Sequence, residues 1–279
     1  MQQTTLLTIA GHPYIIIVEF MKNYGLVSII TPSWNCARFV EKTIQSILAQ
    51  TYSNWELIFQ DDCSTDNTKE IVERYAAKDT RVKYESNTKN SGAAITRNNA
   101  LKRANGKWIA FLDSDDIWLP TKLEEQVGFM VDNNISFSYH KYIEIDEEGK
   151  ELGVLVSGKI IVNKVDMYAC CWPGCLSVIY NADKIGLIQI QDVRKNNDTA
   201  LWLRVIEKAN CYLLPQILGQ YRRRRGSITP PSLKERILWH YRLFRDAENL
   251  GKVTSIILML INIVGNSYKK LFYVKKYSI

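Results

Sequence analysis

The sequence predicts an α/β fold: a mixed, mainly parallel sheet flanked by helices, followed by a helical C-terminal tail. Three observations carry this expectation. Short β-branched runs alternate with helical periodicity from residue 26 to 113, the signature of a parallel sheet covered on both faces. The polar clusters "TPSWN", "QDDCSTD" and "LDSDD" all fall at strand ends, so they collect along the edge where such sheets bind ligands. At 279 residues, 46% hydrophobic and 23% charged, the chain is globular and long enough for one ordinary domain or two small ones.

Taken in order, residues 1–20 contain no basic leader and only a short apolar run at 14–18. They make a poor signal peptide and are too short to span a bilayer. They read as an extension or a misplaced start, with the functional chain beginning near Met21. "LVSIIT" (26–31) reads as a buried strand closed by Pro32. Residues 37–50 place Val40, Ile44, Ile47 and Leu48 on one helical face. A second strand follows at 55–62, a capped helix at 64–78 and a third strand at 81–86. The helix at 92–106 has Gly106 as its expected C-cap, and a fourth strand runs from 107 to 113. Beyond the helix at 119–134 the pattern loosens. Strands are expected at 135–146, 151–162 and 211–225, a capped helix at 196–209, and helix from 234 to the end.

The formal charge of +7 suits an anionic ligand, an anionic membrane surface or nucleic acid, and carries no information about fold. The basic run shows none of the aromatic interleaving of a single-stranded nucleic-acid channel, so no nucleic-acid partner is expected. The cysteines show no C-x-x-C spacing. "CCWPGC" (170–175) reads as buried reduced thiols rather than a metal site, which favours a reducing cytosol. His12, His140 and His240 make no ligand pair.

Asp113, Ser114 and Asp115 form a D-x-D at a strand end, with Asp116 beside them. So many close carboxylates require a positive partner. A hard cation, Mg²⁺ or Mn²⁺, would offset the repulsion, bridge to a diphosphate and neutralise its charge as it leaves. The plainer alternative is a polar turn in which Asp116 caps the next helix. Asp62, ending the second strand with Asp61, could accept the imide N–H of a uracil ring, or serve only in a turn. Arg97 could pair with phosphate or with these aspartates, or lie at the surface. Asp198 is a possible general base, although spacing alone makes it first an N-cap. Arg222 to Arg225 could clamp a diphosphate, face anionic lipid or simply be solvated.

Six ordered blocks, "VSIITPSWN", "QTYSNWELIFQDDCSTDNT", "NSGAAITRNNAL", "ANGKWIAFLDSDDIWLPTKLEEQ", "DTALWLRV" and "YRRRRGSIT", resemble family 2 glycosyltransferases over residues 26–229. The resemblance implies the GT-A fold, a nucleotide-sugar donor and inversion at the anomeric centre. It implies nucleoside contacts from Pro32, Ser33 and Asp62, and Arg97 near Asp62 and the pyrophosphate. It makes Asp113 and Asp115 the metal-binding pair with Ser114 on the donor side, and Asp198 the base. Read together with the sequence pattern, the chain is expected to divide into the 1–20 extension, a nucleotide-sugar half (21–120), an acceptor half (121–232) and a helical segment (233–279). Two positions depart from the family pattern. Asn197 stands where Glu is common, and Arg224 where many members have a metal-approaching histidine. Arg224 could contact the diphosphate but cannot bind metal, which leaves Asp115, the diphosphate and water as the first metal shell.

The expected function is transfer of a sugar, from a UDP-sugar, to a hydroxyl of a glycan or lipid-linked acceptor in cell-surface polysaccharide synthesis. Two rivals are a non-catalytic nucleotide-binding or membrane-scaffold protein of the same fold, and a nucleotidyltransferase. Intact Asp62, Asp113, Asp115 and Asp198 argue against the first. The second usually needs a Gly-rich loop after strand one, and "TPSWNCARF" has no glycine. The apolar stretch 253–264 is too short to span a bilayer and is followed by Lys269, Lys270, Lys275 and Lys276. That pattern predicts a peripheral contact with the inner face of the cell membrane, or else a helix packed on the domain or in a dimer.

Overall fold

The computed structural model describes residues 2–9, 12–19, 22–193, 195–224 and 232–279. β1 (Gln2–Ile9) and β2 (His12–Glu19) pair antiparallel as a two-stranded sheet separate from the main one. The main sheet opens with four parallel strands, β3 (Val27–Ser33), β4 (Trp55–Asp61), β5 (Val82–Ser86) and β6 (Trp108–Phe111), in the order β5-β4-β3-β6. Between them run α1 (Val40–Leu48), α2 (Thr68–Ala76) and α3 (Ala93–Lys102). The period of two along each strand decides which face is covered by which helix. Ile30, Ile58, Ile109 and Phe111 enter one core with Ala94 and Leu101 of α3; Ile29, Leu57, Phe59 and Ala110 enter the other with Val40 and Ile44 of α1. A strand buried on both faces is largely apolar; β3 is buried at every residue, and Val27, Ile29, Ile30 and Pro32 supply its apolar positions beside the buried hydroxyls of Ser28, Thr31 and Ser33.

The second half extends the same sheet. After β7 (Ile117–Trp118) and α4 (Lys122–Asp132) come β8 (Phe137–Ile145), β9 (Glu151–Val156) and β10 (Ile161–Val162). α5 (Lys164–Ala169), β11 (Ile179–Asn181), α6 (Ala182–Ile185), α7 (Asn197–Ile206) and β12 (Cys211–Arg222) follow. β11 is antiparallel to both β6 and β8, while β12 runs parallel to β8. The long strands β3, β4, β8 and β12 therefore share one direction, and the polar groups at their C-terminal ends meet on one edge. The tail is α8 (Leu233–Arg242), a π-helical turn (Leu243–Ala247) and α9 (Lys252–Phe272). Helix does not continue to the end: β13 (Val274–Lys276) pairs with β9 and returns the tail to the sheet.

Two local expectations are corrected. Gly106 does not cap α3, which ends at Lys102 with Arg103 as its cap. It permits a close crossing instead, since a Cβ there would lie 2.5 Å from the Ser28 amide nitrogen. Asp116 does not cap the next helix, which is preceded by Thr121. Its amide closes a turn on the Asp113 carbonyl at 3.1 Å. Its Oδ1 accepts from the Arg222 amide at 2.8 Å, and its carbonyl accepts from Thr43 Oγ1 at 2.8 Å. Asp116 is 1% exposed; it fastens β12 and α1 to the acidic turn.

Two outcomes follow from the packing. Asp116→Asn keeps the acceptor for the Arg222 amide and holds the urea midpoint, whereas Asp116→Ala leaves a buried donor unmet and costs about 1–3 kcal/mol. Equal losses would show that the charge, not the hydrogen bond, matters. His140 is buried on β8, and burial, then Lys122, lowers its pKa from 6.5 to about 3. The unfolded chain takes up a proton below 6.5 that the folded chain refuses, so stability falls as pH drops from 6.5 toward 3. Urea melts of His140→Gln should lose less over that window, and an equal loss would mean that His140 is charged in the fold.

Candidate active site

The site forms where β3, β4, β6 and β12 end and α3 and α7 begin. The residues expected on the nucleoside side come first. Pro32 and Ser33 close β3 and are buried. The Ser33 carbonyl accepts from the Asp62 amide at 2.7 Å, while its Oγ, also buried, meets no partner among the described residues. Asp62 is buried and already engaged. Its Oδ1 accepts from the Ser91 amide at 2.7 Å and Asn87 Nδ2 at 2.8 Å, and its Oδ2 from the Gly92 amide at 2.8 Å. Asp62 thus fixes the N-terminus of α3 as well as ending β4. Gly92, with φ of +83°, takes a conformation that only glycine adopts at no cost.

Arg97 lies one turn into α3, buried to 3% exposure. Its Nη2 pairs with Asp113 Oδ1 at 3.0 Å and approaches Cys175 Sγ at 3.6 Å, and its Nη1 donates to Asn197 Oδ1. Burial opposes its charge, yet the groups facing it, Asp113 and Asp198 among them, hold its pKa above the ordinary value. Its Nε meets no acceptor among the described residues. Asp198 follows Asn197 in the first turn of α7, where its Oδ1 accepts from the Thr199 amide at 2.7 Å. It is therefore inside the helix rather than its N-cap, which is Asn196 with φ of +57°. Asparagine tolerates that left-handed geometry.

The other side of the acidic turn is closed from β12. Arg224 Nε lies 2.7 Å from Asp115 Oδ2. Arg222 Nε donates to the Asp115 carbonyl at 2.8 Å, and its Nη1 to the carbonyls of Asp146 and Glu147. Arg223 points the other way and pairs with Glu144. The basic run is thus no simple solvated patch, and Arg225 lies outside the described residues. The guanidinium carbons of Arg222 and Arg224 lie 5.2 and 5.7 Å from the Phe39 ring centroid, which holds them by cation–π attraction. Ser114 is buried between the two aspartates, its carbonyl accepting from Thr43 at 3.0 Å.

Asp113 and Asp115 each have a guanidinium, but the repulsion between them remains. Burial raises the Asp115 pKa, Arg224 opposes that rise and Asp113 adds to it. A pair of hard oxygen donors still short of positive charge fits an added divalent cation. Among the described residues no group of three His, Cys, Asp or Glu side chains surrounds a single cation position, so further ligands would come from a bound diphosphate and water.

Asp113, Asp115, Arg97, Arg224 and Asp198 are therefore brought to one place, with Ser33 and Asp62 beside them on the β3 and β4 ends. Sequence reasoning missed Phe39 and the thiol of Cys175, which lies 3.8 Å from Asp113 Oδ1. Burial, then Asp113, pushes that thiol well above its ordinary pKa, so it is a neutral donor and not a thiolate. Nothing in the spacing of "CCWPGC" distinguishes this cysteine from its buried neighbours.

Comparison with known proteins identifies the family. The profile of Glycosyl transferase family 2 matches residues 28–157. TuaG of Bacillus subtilis (strain 168), named for teichuronic acid biosynthesis, is 37% identical over 227 residues, covering 81% of this chain and 89% of that protein. The Escherichia coli UDP-Glc:alpha-D-GlcNAc-diphosphoundecaprenol beta-1,3-glucosyltransferase WfgD is 41% identical over 213 residues, covering 75% and 82%. The crystal structure of S. aureus TarS 1-349 in complex with UDP-GlcNAc superposes with a TM-score of 0.67 at 20% identity, covering 88% of this chain and 74% of that one. That likeness shows the fold. The chain is an enzyme of glycosyltransferase family 2.

Proposed function

We propose that the chain transfers a sugar from a UDP-sugar to a hydroxyl of a glycan or lipid-linked acceptor, with inversion, in the synthesis of a cell-surface polysaccharide. The observation that carries the reading is the convergence of Arg97, Asp113 and Asn197, next to Asp198, with the Arg224–Asp115 pair on the same acidic turn. The names of the relatives support donor and acceptor class: one uses UDP-Glc and a diphosphoundecaprenol acceptor, and TarS binds UDP-GlcNAc. A lipid-linked acceptor would set the reaction at the inner face of the cell membrane, with the chain as a peripheral protein.

In this reading Pro32, Ser33 and Asp62 line the nucleoside side. Arg97 and Arg224 meet the diphosphate and stabilise the charge that develops on it as it leaves. Asp113 and Asp115 would hold Mg²⁺ or Mn²⁺, with Ser114 setting their spacing. Bound there, the cation would supply Lewis-acid neutralisation of the leaving diphosphate. Asp198 takes the proton of the acceptor hydroxyl that attacks the anomeric carbon from the face opposite the leaving group. Attack from that side inverts the centre, so an α-linked donor gives a β-glycoside.

Calorimetry with UDP, GDP and CDP, with and without EDTA, together with turnover of Asp198→Asn, tests the reading. UDP should bind best and need the divalent cation. Asp198→Asn should bind UDP as well as the native chain while turnover falls roughly a hundredfold or more. Equal binding of all three nucleotides without metal would remove the donor assignment; unchanged turnover would return Asp198 to a role in the first turn of its helix.

A further inference from the structure

We infer that the outward face of α9 is a docking surface for an anionic lipid bilayer. The inference extends the reading of a lipid-linked acceptor and rests on it for its biological sense. Among the described residues no helix is long and apolar enough to cross a membrane, so the contact is interfacial.

The orientation of α9 is fixed by its inner face. Asn262, 1% exposed, donates to the Tyr168 carbonyl at 3.0 Å. Lys269 Nζ donates to the carbonyls of Cys171 and Trp172 at 2.9 and 2.7 Å. At Gly265 a Cβ would lie 2.0 Å from the Ala169 carbonyl oxygen, so helix and α5 are as close as backbones allow. β13 then ties the end of the helix to β9. With that face committed, the opposite one cannot rotate inward.

The opposite face is apolar and exposed. Val253 (72%), Ile257, Leu260 (55%), Val264 (68%), Tyr268 and Leu271 (74%) follow one another at steps of three and four residues. The stripe spans about 27 Å at a rise of 1.5 Å per residue. A continuous exposed stripe of this length marks an interaction site rather than ordinary surface. Charge decides what covers it. Residues 252–279 contain five lysines and no Asp or Glu, and Lys252, Lys270, Lys275 and Lys276 are exposed. A second copy of this face would bring lysines against lysines with no acid in the segment to neutralise them. An anionic bilayer accepts the apolar stripe among its acyl chains and the lysines among its headgroups. The inner face meanwhile grips the 168–172 segment, three residues before Cys175 at the candidate active site, so one short stretch of chain joins the membrane contact to the site.

The test is flotation of the full chain with vesicles of phosphatidylethanolamine and phosphatidylglycerol, and with vesicles of phosphatidylcholine alone. The comparison variant is Leu260→Glu with Val264→Glu. Both positions are exposed, so the variant should melt as the native chain does. The native chain should float with the anionic vesicles, float less with the neutral ones, and detach as salt rises. The variant should lose about tenfold or more in partitioning while binding UDP unchanged. Native chain that stays soluble with anionic vesicles overturns the inference, as does a dimer in sedimentation that the variant dissociates. Loss of UDP binding by the native chain would count against the proposed reaction and leave the flotation result to stand alone.

Discussion

The rest of the site depends on the buried guanidinium of Arg97. A charge taken out of water costs several kcal/mol unless it is paired and hydrogen-bonded. Arg97 meets that demand with one partner from each half of the chain: Asp113 at the end of β6 and Asn197 at the start of α7. The contact fixes the start of α7, and with it Asp198, relative to the acidic turn. The two halves also share one sheet, because β11 bridges β6 and β8. An alanine at 97 would remove the group that joins Asp113 to Asn197 and leave Asp113 without its counter-charge.

The second guanidinium, Arg224, closes the turn from the opposite side through Asp115. Together with the first it gives each of the two aspartates of the turn one guanidinium partner. It also gives the two departures from the usual family pattern a common sense. An acid at 197 would add a further charge beside Arg97; the amide found there accepts a hydrogen bond from the same guanidinium without a net charge of its own. Arg224 brings a fixed positive charge into the cluster, where a histidine would offer a metal ligand. Both exchanges move the balance of the site toward positive charge, which suits a diphosphate.

Much of this was legible in the sequence. The strands from 27 to 111 announced themselves through short apolar, β-branched runs, because β3, β4 and β6 are buried at every position; β5, at the edge, is buried only at Val82. Asp113, Asp115, Asp62, Arg97 and Asp198 could be singled out because they end strands or begin helices, and a parallel sheet puts those ends on one edge. What could not be read depends on pairing between distant segments. Gly106 looks like a helix terminus until the approach of Ser28 is known. Asp116 looks like a cap until the Arg222 amide arrives from more than a hundred residues away. Cys175 is one of several equivalent thiols until its loop folds over Asp113. The strand β13 is short and basic, and only its partner β9 makes it a strand. In the tail, the sequence posed burial and membrane contact as alternatives, whereas α9 uses one face for the domain and leaves the other exposed.

The central claim is that residues from both halves of the chain build a single nucleotide-diphosphate site on the C-terminal edge of the sheet. A crystal structure of the full chain soaked with UDP and Mn²⁺ tests it most directly. The account predicts the uracil against Ser33 and Asp62, the diphosphate within reach of Arg97 and Arg224, and anomalous density for manganese beside Asp115. UDP bound away from this edge, or bound here with the Arg224–Asp115 pair unchanged and no metal density, would contradict it.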